Sequence, residues 1–176
     1  MHARIDIYFL SVLCVSAVKN LQHPEYKRPE SVLVIVHTTT GEVLMLRRVE
    51  PEDFWQSVTG SLRWGETASA AARRELREET GIDREPLDCG WSNRFSILPA
   101  WRRRYAPDVT TNLEHVFRVE CPVRPAVILN PQEHNSYRWL PREQAAALAA
   151  SWTNRDALLR FVPVPDADHP QQDIPS

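Results

Sequence analysis

Short apolar runs of strand length, separated by polar turns, dominate the sequence between residues 31 and 60. Residues 31–37 (SVLVIVH) and 42–48 (EVLMLRR) are rich in β-branched and long apolar side chains, and the turn TTTG between them predicts a hairpin. The segment FWQSVTG (54–60) predicts a third strand that ends on a glycine. Further strands are predicted over residues 87–98, 113–120 and 137–140.

Helical patterns lie between and after these strands. Residues 66–80 (ETASAAARRELREET) contain strong helix formers and neither Gly nor Pro, and Gly81 follows as the expected stop. Two more helices are predicted over 141–150, with Pro141 near its first position, and over 154–162. Because strands and helices mix without a regular β–α alternation, the pattern predicts an α+β fold with a mixed sheet.

The pattern places one domain at residues 26–162, flanked by two segments of different character. Residues 1–25 form an N-terminal extension in which residues 5–18 are apolar, too short to cross a bilayer as a helix. A cleaved signal peptide, a start site upstream of the true one and an extension private to this protein are the three interpretations. Residues 163–176 contain four prolines and predict a disordered tail.

Composition and charge narrow the classes of function. The chain has 43% apolar and 25% charged residues, which is typical of a globular domain. A formal net charge of −2 gives no general attraction to nucleic acid or to an anionic membrane, so local charges or a metal must hold any polyanionic ligand. Three cysteines without a C-x-x-C pair argue against a zinc site or a disulfide framework and favour a reducing cytoplasm. No pattern fixes an oligomeric state.

One face of the predicted helix carries a concentration of negative charge. Glu75, Glu78 and Glu79 are three and four residues apart and therefore share a face. Adjacent carboxylates repel one another unless a cation lies between them. The charges alone allow two interpretations. Either this is a solvated face paired with neighbouring arginines, or it holds Mg²⁺ or Mn²⁺, which prefer oxygen ligands.

The spacing of residues 60–82 decides between these interpretations. The stretch fits the pattern G-x5-E-x7-R-E-U-x-E-E-x-G-U, with U an aliphatic residue, at every fixed position, and the chance of this is on the order of 10⁻⁹ per starting position. The pattern is the Nudix box, and the chain resembles the Nudix hydrolases. The resemblance implies an α/β/α sandwich with a mixed central sheet, and a divalent metal held on the diphosphate of a substrate. The matching residues are Gly60, Glu66, Arg74, Glu75, Leu76, Glu78, Glu79, Gly81 and Ile82.

The resemblance also implies roles for the box residues. Glu75 and Glu79 match metal ligands, and Glu78 matches a third ligand or a general base. Arg74 would orient a glutamate, so that the implied catalytic group is Glu78, Glu79 and Arg74. A bound metal ion polarises phosphoryl oxygens and lowers the pKa of a bound water.

Motifs outside the box resemble a narrower group, the bacterial Nudix enzymes that remove pyrophosphate from dihydroneopterin triphosphate in folate biosynthesis. This implies hydrolysis of that triphosphate to the monophosphate and pyrophosphate. The alternative is a Nudix pyrophosphohydrolase of dATP, another nucleoside triphosphate or ADP-ribose. A catalytically silent binding domain is disfavoured because all the box glutamates are intact. The motifs are YKRP (26–29), LMLRR (44–48), FWQSVTGS (54–61), RYAP (104–107), NLEHVF (112–117) and SWTNR (151–155).

The same resemblance suggests which residues contact the substrate. Lys27 and Arg48 would bind its phosphate chain, although both are also compatible with solvated charges at strand ends. Thr59 would contact the substrate or serve as a turn residue. His134 matches a position near the substrate, with a plain loop histidine as the alternative.

Glu114 and two other features complete the candidates. Glu114 lies on a predicted strand, where an unpaired carboxylate is costly to bury, and the resemblance makes it a further metal ligand. A surface glutamate on an edge strand is the alternative. The run 102–104 (RRR) would steer a triphosphate or form an ordinary basic loop, and Trp64 and Trp91 are candidates for stacking on a flat ring.

Overall fold

A computed structural model describes residues 26–164, so the predicted N-terminal extension and most of the predicted tail lie outside the described residues. The domain contains seven strands, three α-helices and a 3-10 helix (Pro99–Arg104). The strands are β1 (Glu30–Thr38), β2 (Glu42–Arg48), β3 (Trp55–Gln56), β4 (Val58–Ser61), β5 (Leu87–Ser96), β6 (Thr111–Cys121) and β7 (His134–Pro141). The helices are α1 (Ala68–Thr80), α2 (Arg142–Leu148) and α3 (Trp152–Phe161).

The strands form one mixed sheet, as predicted. β1 and β6 are parallel, and the other strand pairs are antiparallel. The main order is β3-β2-β1-β6-β5, with β4 also paired to β1 and β7 to β2. β1 and β2 pair only beside their hairpin turn, at His37 and Val43. Beyond that point they separate, so β1 pairs with β4 while β2 pairs with β3 and β7.

Helices cover both faces of this sheet, which confirms the predicted sandwich. Successive strand side chains point to opposite faces. Val32 and Val34 of β1 therefore pack in one core with Leu76 of α1. Leu33 of β1 packs in a second core with Leu158 of α3. We call these the α1 face and the α3 face of the sheet.

Local signals set the ends of α1: the predicted stop at Gly81 is confirmed, while the helix begins at Ala68, two residues after the predicted start. The Thr67 hydroxyl accepts a hydrogen bond from the backbone N–H of Ala70 at 3.2 Å, which caps the first turn. Gly81 adopts φ of 71°, and its N–H donates to the carbonyl of Arg77 at 3.0 Å. A left-handed residue at this position favours glycine and ends the helix.

The prediction of one strand over residues 54–60 is wrong at Ser57, where the strand divides into β3 and β4. The backbone N–H of Ser57 donates to Oδ1 of Asn154 at 2.8 Å. The Asn154 amide also donates to the Ser57 hydroxyl at 2.9 Å. A contact 97 residues away in the sequence therefore replaces a ladder hydrogen bond, and it ties β4 to α3.

The described helices are all short, and α1 is the longest with 13 residues. Within residues 26–164, none is long and apolar enough to cross a membrane. Cys89 and Cys121 are free thiols.

We expect Asn154→Ala to destabilise the domain, because Asn154 is buried and its loss leaves the Ser57 N–H without an acceptor. An unpaired buried donor costs about 1–3 kcal/mol of unfolding free energy. Urea denaturation measures this change. Asn135→Ala, at an exposed asparagine of β7, is the matched control and should have little effect. Equal stability of the two variants would contradict the role given to Asn154.

Candidate active site

Glu75, on the acidic face of α1, lies very close to Gly60 of β4. A Cβ atom added at Gly60 would lie only 1.9 Å from Cδ of Glu75. Glycine is therefore the residue that lets the Glu75 side chain lie across the strand. Gly60 and Glu75, both fixed positions of the box, are thus in direct contact.

Arg74 connects the acidic residues of the box. Its Nε and Nη2 donate to the two oxygens of Glu66, each at 2.8 Å. Its Nη1 donates to Glu75 at 2.6 Å and to Glu78 at 3.1 Å. Hydrogen bonds to these glutamates raise the pKa of Arg74, and the bond to Arg74 lowers the pKa of Glu66. One guanidinium thus compensates the repulsion among three carboxylates.

Glu79 lies deeper than the other box glutamates, beside His134 and Glu133. Its carboxyl is buried, and Oε2 lies 3.1 Å from Nε2 of His134. Burial raises the pKa of Glu79 well above its usual range, and the charges of Glu75 and Glu133 raise it further. Burial lowers the pKa of His134, and the charge of Arg48 adds to this effect, so the imidazole is neutral at pH 7.

These groups have the chemistry of a cation site. One ligand atom each from Glu79, Glu133 and His134 lie within 4.8 Å of one another. In the described part of the chain, neither oxygen of Glu79 and neither ring nitrogen of His134 has a hydrogen-bond partner of good geometry. Buried polar atoms without partners are costly, and a divalent cation between them would satisfy these oxygen and nitrogen donors. The residues therefore fit a metal ion.

Glu133 is a site residue that the sequence analysis missed. It precedes His134 at the start of β7, and its carbonyl accepts from the Val49 N–H at 2.9 Å, which holds it beside the end of β2. The available signal was its position next to a candidate histidine in QEH. Sequence gives no measure of the distance between residues 79 and 133, so the pattern did not identify it.

Two predicted substrate cations lie beside this acidic group. Burial lowers the pKa of Lys27, and the guanidinium of Arg104 lowers it further, while Glu75 and Glu133 act in the opposite direction. The amine of Lys27 lies 3.5 Å from the Ser61 hydroxyl. Arg48 donates from Nε to the Glu50 carbonyl at 2.8 Å, and its charge acts on Glu79 and His134. Positive and negative groups therefore share one small region.

A cavity of about 320 Å³ opens at this region. Its lining includes Lys27, Ser61, Trp64, Arg74 and Glu75. The indole N–H of Trp64 donates to the Tyr26 carbonyl at 3.0 Å, which holds this exposed side chain at the cavity wall. The cavity is therefore lined by the cationic side chain of Lys27 and by the acidic face of α1.

Thr59 and Glu78 are two further residues that the sequence predicted for the site. Thr59 accepts a hydrogen bond from the Gln56 side chain at 2.9 Å and lies on β4 next to Gly60. Glu78 is partly exposed and pairs with Arg63 at 3.3 Å and with Arg74. It does not belong to the group around Glu79 that could share an ion in the described part of the chain.

Glu114 is not brought together with the box glutamates. It pairs in register with Ser31 of β1. Two residues further along, Leu33 and Val116 are paired and belong to the core on the α3 face. Alternation along the strands therefore points Glu114 to the α3 face, away from α1. Burial raises its pKa, and Thr153 of α3 is a polar neighbour that acts in the opposite direction. Sequence alone did not reveal which face this carboxyl occupies.

A model of the NUDIX domain matches residues 27–161. The chain is 47% identical over 143 residues to the dihydroneopterin triphosphate diphosphatase of Escherichia coli K12, covering 78% of this chain and 94% of that protein. It is 38% identical over 144 residues to the Haemophilus influenzae protein of the same name, covering 78% and 90%.

Solved structures similar to this chain include one of the same E. coli enzyme. The structure of the E. coli dihydroneopterin triphosphate pyrophosphohydrolase superposes with a TM-score of 0.73 at 45% identity, covering 78% of this chain and 97% of that chain. A MutT protein from Methanosarcina mazei superposes with a TM-score of 0.58 at 26% identity, covering 79% and 94%.

We expect Gly60→Ala to weaken Mn²⁺ binding about tenfold while the domain stays folded, because the new methyl group displaces the Glu75 carboxyl. Isothermal titration with Mn²⁺ and a thermal melt measure the two quantities. If the effect acts through Glu75, the double variant Gly60→Ala, Glu75→Gln binds no more weakly than Glu75→Gln alone. Additive losses, or an unchanged Gly60→Ala affinity, would show that the contact is not needed.

Proposed function

The chain belongs to the NUDIX family, and on this premise we propose that it hydrolyses dihydroneopterin triphosphate to dihydroneopterin monophosphate and pyrophosphate. The relatives that bear this activity in their names match nearly their full length, with 47% and 38% identity. The observation that carries the proposal is the meeting of an acidic group around Glu79 with Lys27 and Arg48. Carboxylates that hold a cation, beside cations that bind phosphate, suit a triphosphate substrate.

Mg²⁺, or Mn²⁺ in its place, is the metal we assign to this site. Glu75, Glu79 and Glu133 would hold it, with His134 beside Glu79. Carboxylate oxygens are the ligands these hard cations prefer, which favours them over softer metals. When bound, the ion supplies charge neutralisation at the phosphates and polarisation of the phosphoryl oxygens.

The cations of the site bind and orient the phosphate chain. Lys27 and Arg48 are close enough to the acidic group for their charges to act on its carboxylates, and they supply ammonium and guanidinium donors to phosphate oxygens. Arg74 does not take part in this binding, because its donors are already used by Glu66, Glu75 and Glu78. Its role is to hold Glu75 in place.

The pair formed by Glu79 and His134 is suited to hold the proton that the attacking water releases. With Glu79 on the metal, the neutral imidazole of His134, 3.1 Å from Oε2 of Glu79, is the member of this pair that accepts the proton. Glu78 stays with Arg63 and Arg74 and fixes the outer side of the site. Water adds to phosphorus, pyrophosphate leaves, and the proton passes to this pair.

The proposed substrate indicates the cellular compartment in which the reaction takes place. A phosphorylated pterin is a small molecule of the cell interior, and we place the enzyme in the cytoplasm. Free Cys89 and Cys121 are compatible with a reducing compartment.

Glu133→Gln is expected to weaken Mn²⁺ binding by about tenfold, or about 1.4 kcal/mol, because a ligand charge is lost. Glu114→Gln should change the affinity by less than about twofold, since its carboxyl faces α3. Calorimetric titration of both variants makes the comparison. The assignment fails if Glu114→Gln weakens binding and Glu133→Gln does not.

The function itself is tested by kcat/KM with Mg²⁺ for dihydroneopterin triphosphate, dATP, GTP and ADP-ribose. We expect the pterin substrate to lead by about tenfold or more, and Glu79→Gln to lose nearly all activity because a metal ligand charge is removed. Glu143→Gln, at an exposed glutamate of α2, is the control and should retain activity.

The other outcomes are equally informative. If dATP or another nucleotide leads and Glu79→Gln is inactive, the hydrolase chemistry stands and the pterin assignment is wrong. If no substrate is turned over, or if Glu79→Gln equals the wild type, the catalytic proposal is wrong and the domain binds its ligand without hydrolysis.

A further inference from the structure

Trp64 is a large aromatic side chain at the surface that the proposed mechanism does not use. It is 38% exposed, and it lines the cavity of about 320 Å³ together with Lys27 and Glu75. Ligand cavities begin at about 300 Å³, so this cavity is large enough to receive a flat ring. The indole is therefore next to one of the proposed phosphate cations and to one of the proposed metal ligands.

The turn that carries Trp64 is held by several hydrogen bonds. The Glu66 N–H donates to the Arg63 carbonyl at 3.0 Å, which closes a β-turn with Trp64 at its second position. Gly65, at the third position, has φ of 80°, which is typical of a type II turn. The Arg63 N–H also donates to Oε2 of Glu66 at 2.8 Å, and Arg74 holds that carboxylate through two hydrogen bonds. The backbone at Trp64 is thus fixed by its neighbours in the box.

The ring of Trp64 is also held in one orientation. Its indole N–H donates to the Tyr26 carbonyl at 3.0 Å, and this carbonyl directly precedes Lys27 in the chain. Within residues 26–164, no aromatic ring and no guanidinium is stacked on the Trp64 ring. A side chain that is already ordered loses little conformational freedom when a flat ligand stacks on it.

Trp91, the other tryptophan that the sequence suggested for stacking, differs on both points. The guanidinium of Arg160 lies over its ring, 4.2 Å from the centroid, so the ring already has a cationic partner within the domain. Trp91 lies on β5 and does not line the cavity that Trp64 and Lys27 share. The structure therefore separates the two candidates in favour of Trp64.

We propose that the flat ring of the substrate stacks on Trp64, which makes this residue a determinant of specificity for phosphates that carry a heterocycle. This rests on the proposed function and extends it from the phosphate chain to the ring. A short, flexible carbon chain joins a pterin to its phosphates, so one ligand can place its ring on Trp64 and its phosphates at Lys27.

Stacking sets a broad selectivity. A heterocycle stacks on an aromatic side chain through its face, and this contact does not depend on the hydrogen-bonding edge of the ring. Trp64 therefore favours pterins and purines alike over inorganic phosphates. The choice between a pterin and a purine must come from other residues.

The test is the binding of the two reaction products, which requires no turnover. Dihydroneopterin monophosphate carries the ring, and inorganic pyrophosphate does not; each is titrated calorimetrically with Mg²⁺ present. Trp64→Ala should weaken binding of the monophosphate by about tenfold or more and change binding of pyrophosphate by less than about twofold. Trp64→Phe keeps an aromatic face, so its affinity for both ligands should stay within about threefold of the wild type.

Trp91→Ala is the matched control, at an aromatic residue of similar exposure (41%), and should bind both ligands as the wild type does. Thermal melts verify that each variant is folded. If Trp64→Ala does not fold, Trp64→Leu takes its place with the same expected result, because it keeps an apolar side chain without an aromatic face.

A role in positioning Lys27 through the bond to Tyr26 would give a different pattern. Trp64→Phe lacks the N–H donor and would then lose affinity as Trp64→Ala does, and binding of pyrophosphate would fall with it. Either result overturns stacking. Unchanged binding of the monophosphate in Trp64→Ala, or an equal loss in Trp91→Ala, overturns it as well.

The failure of the proposed function is recognised separately. If the wild type binds dAMP and not dihydroneopterin monophosphate, the pterin assignment is wrong, and the same comparison of Trp64→Ala with Trp64→Phe on dAMP decides whether the ring stacks. If the wild type binds pyrophosphate and neither of the ring-bearing monophosphates, the stacking role is overturned, while kcat/KM still decides the proposed hydrolysis.

Discussion

The bidentate pair between Arg74 and Glu66, and the further bonds of Arg74 to Glu75 and Glu78, are the interaction on which the acidic site depends. Three carboxylates on one region of surface repel one another, and no ordinary helix face would hold them in fixed positions. Because Arg74 is bound by several of them at once, little additional side-chain entropy is lost as each bond forms. Glu79 is left out of this network and stays available, buried and poorly bonded.

The two faces of the sheet carry different groups of candidate site residues. Gly60 and Glu75 meet on the α1 face, where the acidic group and the cations of Lys27 and Arg48 come together. Glu114 lies on the α3 face with Thr153. β4 serves both faces, because Gly60 points to α1 while Ser61 points to the other side and contacts Lys27. A ligand that extends around this short strand meets both sets of groups.

Short-range chemistry made a large part of the fold predictable. Gly81 ends α1 through a left-handed backbone, as the sequence predicted, while Thr67 caps its start two residues inside the predicted helix. The sequence also predicted that one helix face carries the box glutamates, Glu75, Glu78 and Glu79, and that Arg74 orients one of them. Ser57 was mispredicted as the middle of one strand, because its backbone N–H bonds to Asn154, and no local pattern indicates that partner.

The sequence by itself therefore determined the family, the acidic helix face and the mixed sandwich, since these depend on residue types at fixed short spacings. Tertiary structure decided which carboxylates share a site. Glu133 joins Glu79 because β7 begins beside the end of β2. Glu114 is separated because its register with Ser31 turns it to the α3 face. A shift of one residue in strand register would reverse the face of every side chain on that strand. Strand register is set by packing between distant segments, so neither assignment was accessible from residue order.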